Sequence, residues 1–267
     1  VIGFMFAFLN DAHERRAREI VLEELPDAYV TLSSEVAKVM REYERFSTAA
    51  MNCYVGPKTA FYLNDLEARL RGAGVGSKLR IMQSNGGVST VEACARRPIR
   101  ILMSGPAGGV IGGASEGEMA GVANVVTVDI GGTSADISTI PGGSVKIMNP
   151  RDTYVGGHPV LTPMIDLVTI GAGGGSVAYI DEAGGFNVGP RSAGSEPGPA
   201  CYGRGGEEPT VTDAQVVLGR LDPDLALGGD LKLDPELSRK AVEEKVAKPL
   251  GLSVTDAALG IIKIINN

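Results

Sequence analysis

The run Val126-Thr-Val-Asp129-Ile-Gly131-Gly132-Thr133-Ser134-Ala-Asp136-Ile137 gathers two acids, two hydroxyls and a bend without side chains into one short stretch. An apolar strand ending at Asp129 and turning through Gly131 and Gly132 exposes backbone N–H groups, and no Cβ keeps an anion away from them. Thr133 and Ser134 add hydroxyl donors. A carboxylate at a strand end can hold Mg²⁺ directly or through its waters, which makes Asp129 the candidate metal ligand and Asp136 a candidate to orient the loop or that water shell. Phosphate binding is the chemistry this combination would serve. The same letters also describe an ordinary hairpin with a solvated Asp, and pattern alone rates the two readings equally.

Two further glycine runs could contact an anion. Ser104-Gly105-Pro-Ala-Gly108-Gly109 is predicted to follow a strand at Ile99–Met103 and to open a small-residue helix ending near Gly121, which would set its N–H groups at a helix N-terminus. Thr169-Ile-Gly171-Ala-Gly173-Gly174-Gly175-Ser176 approximates a dinucleotide fingerprint, with Ser in the last place. That fingerprint needs a crossover helix next, whereas Val177–Ile180 reads as a strand. A glycine turn beside a nucleotide or substrate cleft is the preferred reading, and a compact turn with no ligand is equally compatible. Cys201 has no neighbouring His and reads as a small buried group. His13 lies in a charged helix. His158, between Gly157 and Pro159, has the better claim to a cleft but no second ligand beside it.

The elements that would position these residues alternate between strand and helix, the signature of an α/β layer structure. Val1–Leu9 reads as a core strand. Asn10 and Asp11 can cap a helix carrying Glu14, Ile20, Val21 and Leu25 and ended by Pro26. A second helix is predicted from Ser33 and Ser34 through Tyr43, and a third from Pro57 through Leu70. Leu79–Gln83 follows as a strand, then a short helix capped by Ser89 with Glu92. From Val125 the pattern becomes short strands, Val125–Asp129, Ala135–Ile140 and Val145–Met148, joined by glycine turns. Gly189–Pro209 is long for a passive connection and suggests a functional loop. Helices resume at Thr212 with Gln215, at Asp234-Pro235 and at Ser253 or Thr255. The expected domains are 1–122 and 123–267.

Composition narrows the function classes. The 267 residues are 43% hydrophobic and carry 25 Lys and Arg against 32 Asp and Glu, with no basic cluster suited to nucleic acid. Three dispersed cysteines suggest neither a disulfide framework nor a metal knuckle, so a reducing cytoplasmic setting is expected. The apolar opening is too short to span a bilayer. Val1 opens an apparent core strand and Ile261–Ile265 stop inside an apolar helical pattern, so a fragment of a longer protein is expected.

The hairpin resembles the phosphate loop of the actin, sugar kinase and heat-shock chaperone superfamily, with its Asp-x-Gly-Gly-Thr type of turn. Its company narrows the likeness: Phe8-Leu-Asn-Asp-Ala-His-Glu-Arg-Arg16, Gln83-Ser-Asn-Gly-Gly87, Ser104–Gly109, Thr169–Ser176, and Ser192–Gly206 followed by Pro209-Thr-Val-Thr-Asp213. In this order they are similar to the hydantoinase A and 5-oxoprolinase family over essentially the whole chain. That resemblance implies incomplete RNase H-like lobes and ATP with Mg²⁺ as cofactors. It also implies hydrolysis of a cyclic amide or imide through a phosphorylated carbonyl, or ketone carboxylation in a related branch; a chaperone-like ATPase module is the rival within the superfamily. Asp129 and Asp136 would act on the metal and loop. Gly131, Gly132, Thr133 and Ser134 would hold phosphates, assisted by Gly105, Gly108, Gly109, Gly173, Gly174 and Gly175. A B-type subunit or fused domain and an oligomeric assembly are implied as partners. The family's earlier Asp-x-Gly-Gly-Thr loop and its later adenosine segment do not occur here, so weak ATP binding and no turnover are expected of these residues alone.

Overall fold

A computed structural model describes residues 1–224 and 231–267. In chain order it contains α1 (Ala12–Glu24), α2 (Ser33–Val36), α3 (Glu42–Gly72), β1 (Arg80–Met82), β2 (Val88–Thr90), α4 (Val91–Arg96) and α5 (Ser104–Met119). Strands β3 (Val125–Ile130), β4 (Ala135–Ile140), β5 (Tyr154–Val155), β6 (His158–Pro159), β7 (Val168–Ile170), β8 (Ser176–Ile180) and β9 (Phe186–Ser192) follow. Helices α6 (Val211–Val217), α7 (Pro235–Val242), α8 (Lys248–Leu250) and α9 (Val254–Ile265) complete the described elements of this mixed α/β chain. Contacts divide it into two units, each discontinuous in sequence: Val1–Thr127 with Ser138–Leu167, and Val128–Ile137 with Val168–Asn267.

The first unit is organised around a buried polar network. Glu14 of α1 is fully buried and accepts hydrogen bonds from Phe4 N, Ser33 Oγ, Ser34 N and Ser34 Oγ. Arg45 of α3, also fully buried, donates to Ser33 Oγ and to the carbonyls of Val39 and Phe4. Apolar clusters form elsewhere in this unit, among them Leu63, Val91 and Cys94, and Ala107, Val110, Ile140 and Ile165.

This network explains where local pattern misleads. Val1–Leu9 is not a core strand: Ile2 makes one parallel bridge to Leu32, the chain then turns, and Phe4, Met5, Phe6 and Leu9 are exposed. The backbone of Phe4 is satisfied by Glu14 and Arg45 instead of by a ladder. The second predicted helix shrinks to one turn because Ala37 is already extended, and Tyr43 belongs to α3, which begins after Arg41 at φ 86°. Pro57 does not start a helix but lies inside α3, whose course is fixed by buried Arg45, Thr48 and Asn52. Ile99–Met103 is not a strand. Pro98 opens a 3₁₀ turn, and the N–H of Ile99 is taken by Asn52 Oδ1 at 3.2 Å. Val145–Met148 reduces to a single bridge between Ile147 and Ile165.

In the second unit α6 and α9 pack against β8 and β9, and α7 packs on α6 and α9. Its core comprises Ala178, Ala214, Val242, Val246, Ala257, Ala258 and Ile261. The predicted start at Thr212 falls instead at Thr210, whose hydroxyl accepts from Asp213 N while Asp213 returns the bond to Thr210 N, a closed capping box. Likewise α4 is capped by Thr90 and not Ser89. The starts at Asp234-Pro235 and Ser253 are as expected, each side chain accepting from the first turn.

Candidate functional site

Strands β3, β4 and β7 form a three-stranded sheet in that order, with β4 and β7 antiparallel. Between β3 and β4 the chain turns through Gly131–Ser134, closed by Gly131 N donating to the Ser134 carbonyl at 2.9 Å. Asp129 is exposed near the end of β3, and Gly131, Gly132 and Thr133 are exposed in the turn. Asp136 faces Thr169 across the β4–β7 pair and accepts its hydroxyl hydrogen bond.

The second glycine run lies directly against this turn. Gly174 N donates to the Gly131 carbonyl at 3.0 Å, and Gly175 N donates to the Gly132 carbonyl at 2.6 Å. In a planar trans peptide the C=O and N–H point in opposite directions. Tying down the carbonyls of Gly131 and Gly132 therefore aims the N–H groups of Gly132 and Thr133 away from the 173–175 loop. Among the described residues no acceptor takes the backbone N–H of Gly132, Thr133 or Ser134. Successive N–H groups left without partners in a turn are the kind of donor set that can bind an anion.

The glycines divide by what surrounds them. A Cβ on Gly173 would meet backbone atoms of Gly131 and Gly132 at 2.7–2.8 Å, and one on Gly175 would meet the Gly132 carbonyl and Ser192 Oγ, each at 2.8 Å. Those positions need glycine for packing. A Cβ on Gly132 would have nothing within 4 Å, so the fold leaves that position free. Gly105, Gly108 and Gly109 do not form a turn preceding a helix: Ser104–Gly109 is already the opening of α5. Gly105 and Gly108 have open space at Cβ, whereas Gly113 and Gly117 further along α5 lie against Thr127 and Val125.

A cleft of about 500 Å³ in the second unit borders the same turn. Gly131, Gly132, Gly173 and Gly174 meet Thr212 and Gln215 of α6 there, and no charged side chain lines it. The turn's unpaired donors are the groups that could meet an anion, and the cleft, lined by no charged side chain, suits an uncharged group. Among the described residues no three His, Cys, Asp or Glu side chains converge as a metal cage. A lone carboxylate such as Asp129 still matches Mg²⁺, which keeps several waters and is held by one or two carboxylates plus phosphate oxygens.

The remaining candidates carry no catalytic arrangement of their own. Cys201 is fully buried, and its thiol is pushed up to about 12, first by desolvation and then by the nearby Asp213 carboxylate, so it stays protonated and is no nucleophile. His13 and His158 are exposed. β8 begins at Ser176 itself, so a strand stands where a dinucleotide fingerprint requires a crossover helix. Sequence reasoning missed Thr212, whose N–H and hydroxyl both donate to the Gly174 carbonyl at 2.8 Å. The Thr210-x-x-Asp213 capping box was the available signal, since it sets where α6 begins.

A strand–glycine-turn–strand hairpin with unpaired N–H groups, braced by a second glycine loop, is the arrangement expected of a phosphate-binding α/β protein. Comparison makes this specific: residues 45–267 match the model of the hydantoinase/oxoprolinase family, and the chain belongs to that family. It is 41% identical to caprolactamase subunit alpha of Pseudomonas jessenii over 99% of its length, which is 38% of that subunit. It is 33% identical to the 5-oxoprolinase of Saccharomyces cerevisiae, over 99% of this chain and 21% of that protein. Among solved structures, ATP-dependent caprolactamase of P. jessenii superposes with a TM-score of 0.75 at 41% identity, over 98% of this chain and 38% of that one. Nucleotide-free acetone carboxylase superposes with a TM-score of 0.86 at 34% identity, over 99% of this chain and 38% of that one. No helix among the described residues is long and apolar enough to cross a membrane.

Proposed function

We propose that this chain is the central part of an ATP-dependent hydrolase that opens cyclic amides or imides, built on RNase H-like lobes of the actin and sugar kinase type. The observation that carries the reading is the turn at Gly131–Ser134, whose carbonyls are tied inward and whose N–H groups are free. Gly132, Thr133 and Ser134 would hold phosphate oxygens, Asp129 would hold Mg²⁺, and Asp136, hydrogen-bonded to Thr169, would keep the adjoining strand in register. ATP would transfer its γ-phosphoryl group to the amide oxygen with ADP leaving, which turns that oxygen into a phosphate leaving group and opens the carbon to attack by water, so that the ring opens with release of phosphate. Positioning and charge neutralisation are what such chemistry asks of a protein: the turn's N–H groups would supply the first, and Mg²⁺ held by Asp129 would supply the second.

The family membership and two structural neighbours, an ATP-dependent acetone carboxylase and an ATP-dependent caprolactamase, support the reading, as do relatives named caprolactamase and 5-oxoprolinase. Relatives named as subunits support a B-type partner or fused domain and an oligomeric assembly. A ketone-carboxylating activity is the second reading, favoured by the TM-score of 0.86 to acetone carboxylase. Phosphate release from ATP by the full-length protein separates them: dependence on a lactam supports the first, dependence on a ketone with bicarbonate the second, and release indifferent to both would point to a chaperone-like ATPase. Asp129→Ala in the full-length enzyme is expected to cut turnover on the order of 100-fold or more without lowering Tm. Unchanged ATP affinity together with unchanged turnover would remove Asp129 from the site.

A further inference from the structure

The function above uses the turn at Gly131–Ser134 but leaves open what keeps its donors aimed outward. Gly131 and Gly132 have no side chains to fix their part of the turn, and glycine has more conformational freedom than any other residue. Beyond the bond from Gly131 N to the Ser134 carbonyl, the two glycine carbonyls are held from outside the turn, and the hydrogen bonds trace how.

Gly174 N and Gly175 N hold the two turn carbonyls at 3.0 and 2.6 Å. Gly174 is in turn held by Thr212, whose backbone N–H and Oγ1 both donate to its carbonyl at 2.8 Å. Thr212 Oγ1 also stands 2.7 Å from where a Gly174 Cβ would sit, so hydroxyl and glycine are fitted to each other. Thr212 lies in the first turn of α6, and that turn is pinned by Asp213. This buried carboxylate accepts from Ala200 N, Cys201 N, Thr210 N, Thr210 Oγ1 and Ser238 Oγ. On the other side Gly175 O receives Ala193 N at 2.8 Å, and Ser192 Oγ reaches the Gly132 carbonyl at 3.5 Å.

We propose that Thr212 is a positioning residue for phosphate binding: its hydroxyl, anchored through Asp213, fixes Gly174 so that the Gly131–Ser134 turn presents its N–H groups to the anion. The Gly/Pro-rich loop between Ser192 and Pro209 then has a use, because both of its ends feed this brace, Ser192 and Ala193 at one and Thr210 at the other. The proposal rests on the phosphate role given to the turn. It assigns no contact between Thr212 and ATP.

The test compares Thr212→Val and Thr212→Ser in the full-length enzyme, reading KM for ATP, KM for the lactam and kcat. Val keeps the side-chain shape and the backbone N–H but loses the hydroxyl. It is expected to raise KM for ATP roughly 3- to 10-fold, the size of one hydrogen bond, with KM for the lactam within about 2-fold. Ser restores the donor and is expected to return KM for ATP to within about 2-fold of the wild type. A purely structural role would lower the active fraction and leave both KM values in place, so that result overturns the proposal, as does a Val effect that Ser fails to rescue. If the Val variant does not fold, Ser192→Ala is expected to raise KM for ATP alone by a smaller factor, and no rise overturns the proposal. Failure of the underlying reading shows separately, as wild-type enzyme that does not consume ATP.

Discussion

Asp213 is fully buried and accepts five hydrogen bonds, from three backbone N–H groups and two hydroxyls, whereas Asp129, in the same unit, is exposed near the end of β3 beside donors with no partner. A buried carboxylate is tolerated only when its oxygens are satisfied, and once satisfied it is costly to remove. An exposed carboxylate costs the fold nothing and is free to meet a cation. The contrast separates groups that build the site from groups that would work in it, and Glu14 repeats the first type in the other unit.

The largest effect is expected at Asp213. Asp213→Ala leaves three N–H groups without acceptors in a closed interior, a loss of about 3–5 kcal/mol, read as loss of soluble protein or a large drop in Tm. Glu14→Gln comes next, at about 2–3 kcal/mol, because it also deprives buried Arg45 of a nearby negative charge. This site carries a pH signature. Burial alone would raise the Glu14 carboxyl, but hydrogen bonds from Ser33, Ser34 and Phe4 outweigh it and hold the group below its ordinary value of 4.5. A lowered folded-state value means the stabilisation is complete above pH 4.5 and is lost as pH falls through the folded value. Wild-type stability should therefore decline on acidification in that window, and the Gln variant should decline less; parallel curves from chemical denaturation would remove Glu14 from this role.

What the sequence made legible followed from local chemistry. Asp234 before Pro235 and Ser253 before α9 cap their helices with their own side chains, and a cap is a short-range event. The hairpin at Asp129–Asp136 could be read because a strand, a glycine turn and a returning strand are contiguous. The failures share a different cause. Ile99 is diverted by Asn52, Phe4 by Glu14 and Arg45, and none of these partners is near in sequence. At the site, all the glycines looked alike as letters. Only distances separate Gly173 and Gly175, which the neighbouring backbone requires, from Gly132, which it does not. Thr212 was hidden for the same reason, since its hydroxyl acts on a carbonyl many residues earlier.

That division among glycines gives the smallest and most discriminating expectation. Gly173→Ala forces a Cβ to within 2.7–2.8 Å of the backbone of Gly131 and Gly132, and backbone cannot swing aside as a side chain can. It should cost about 1–3 kcal/mol of stability and weaken ATP binding as the turn is pushed out of shape. Gly132→Ala has nothing within 4 Å and a backbone conformation open to other residues, so Tm should change by no more than about 0.5 kcal/mol allows. If Gly132 is glycine because a phosphate must approach the backbone, the same methyl group should weaken ATP binding roughly 10-fold, the equivalent of about one hydrogen bond. Calorimetric titration and thermal melts of the two variants in the full-length protein give four numbers. Loss of affinity without loss of stability at Gly132 identifies a position kept bare for a ligand, whereas unchanged affinity there would mean that the turn is ordinary and that its free N–H groups meet only water.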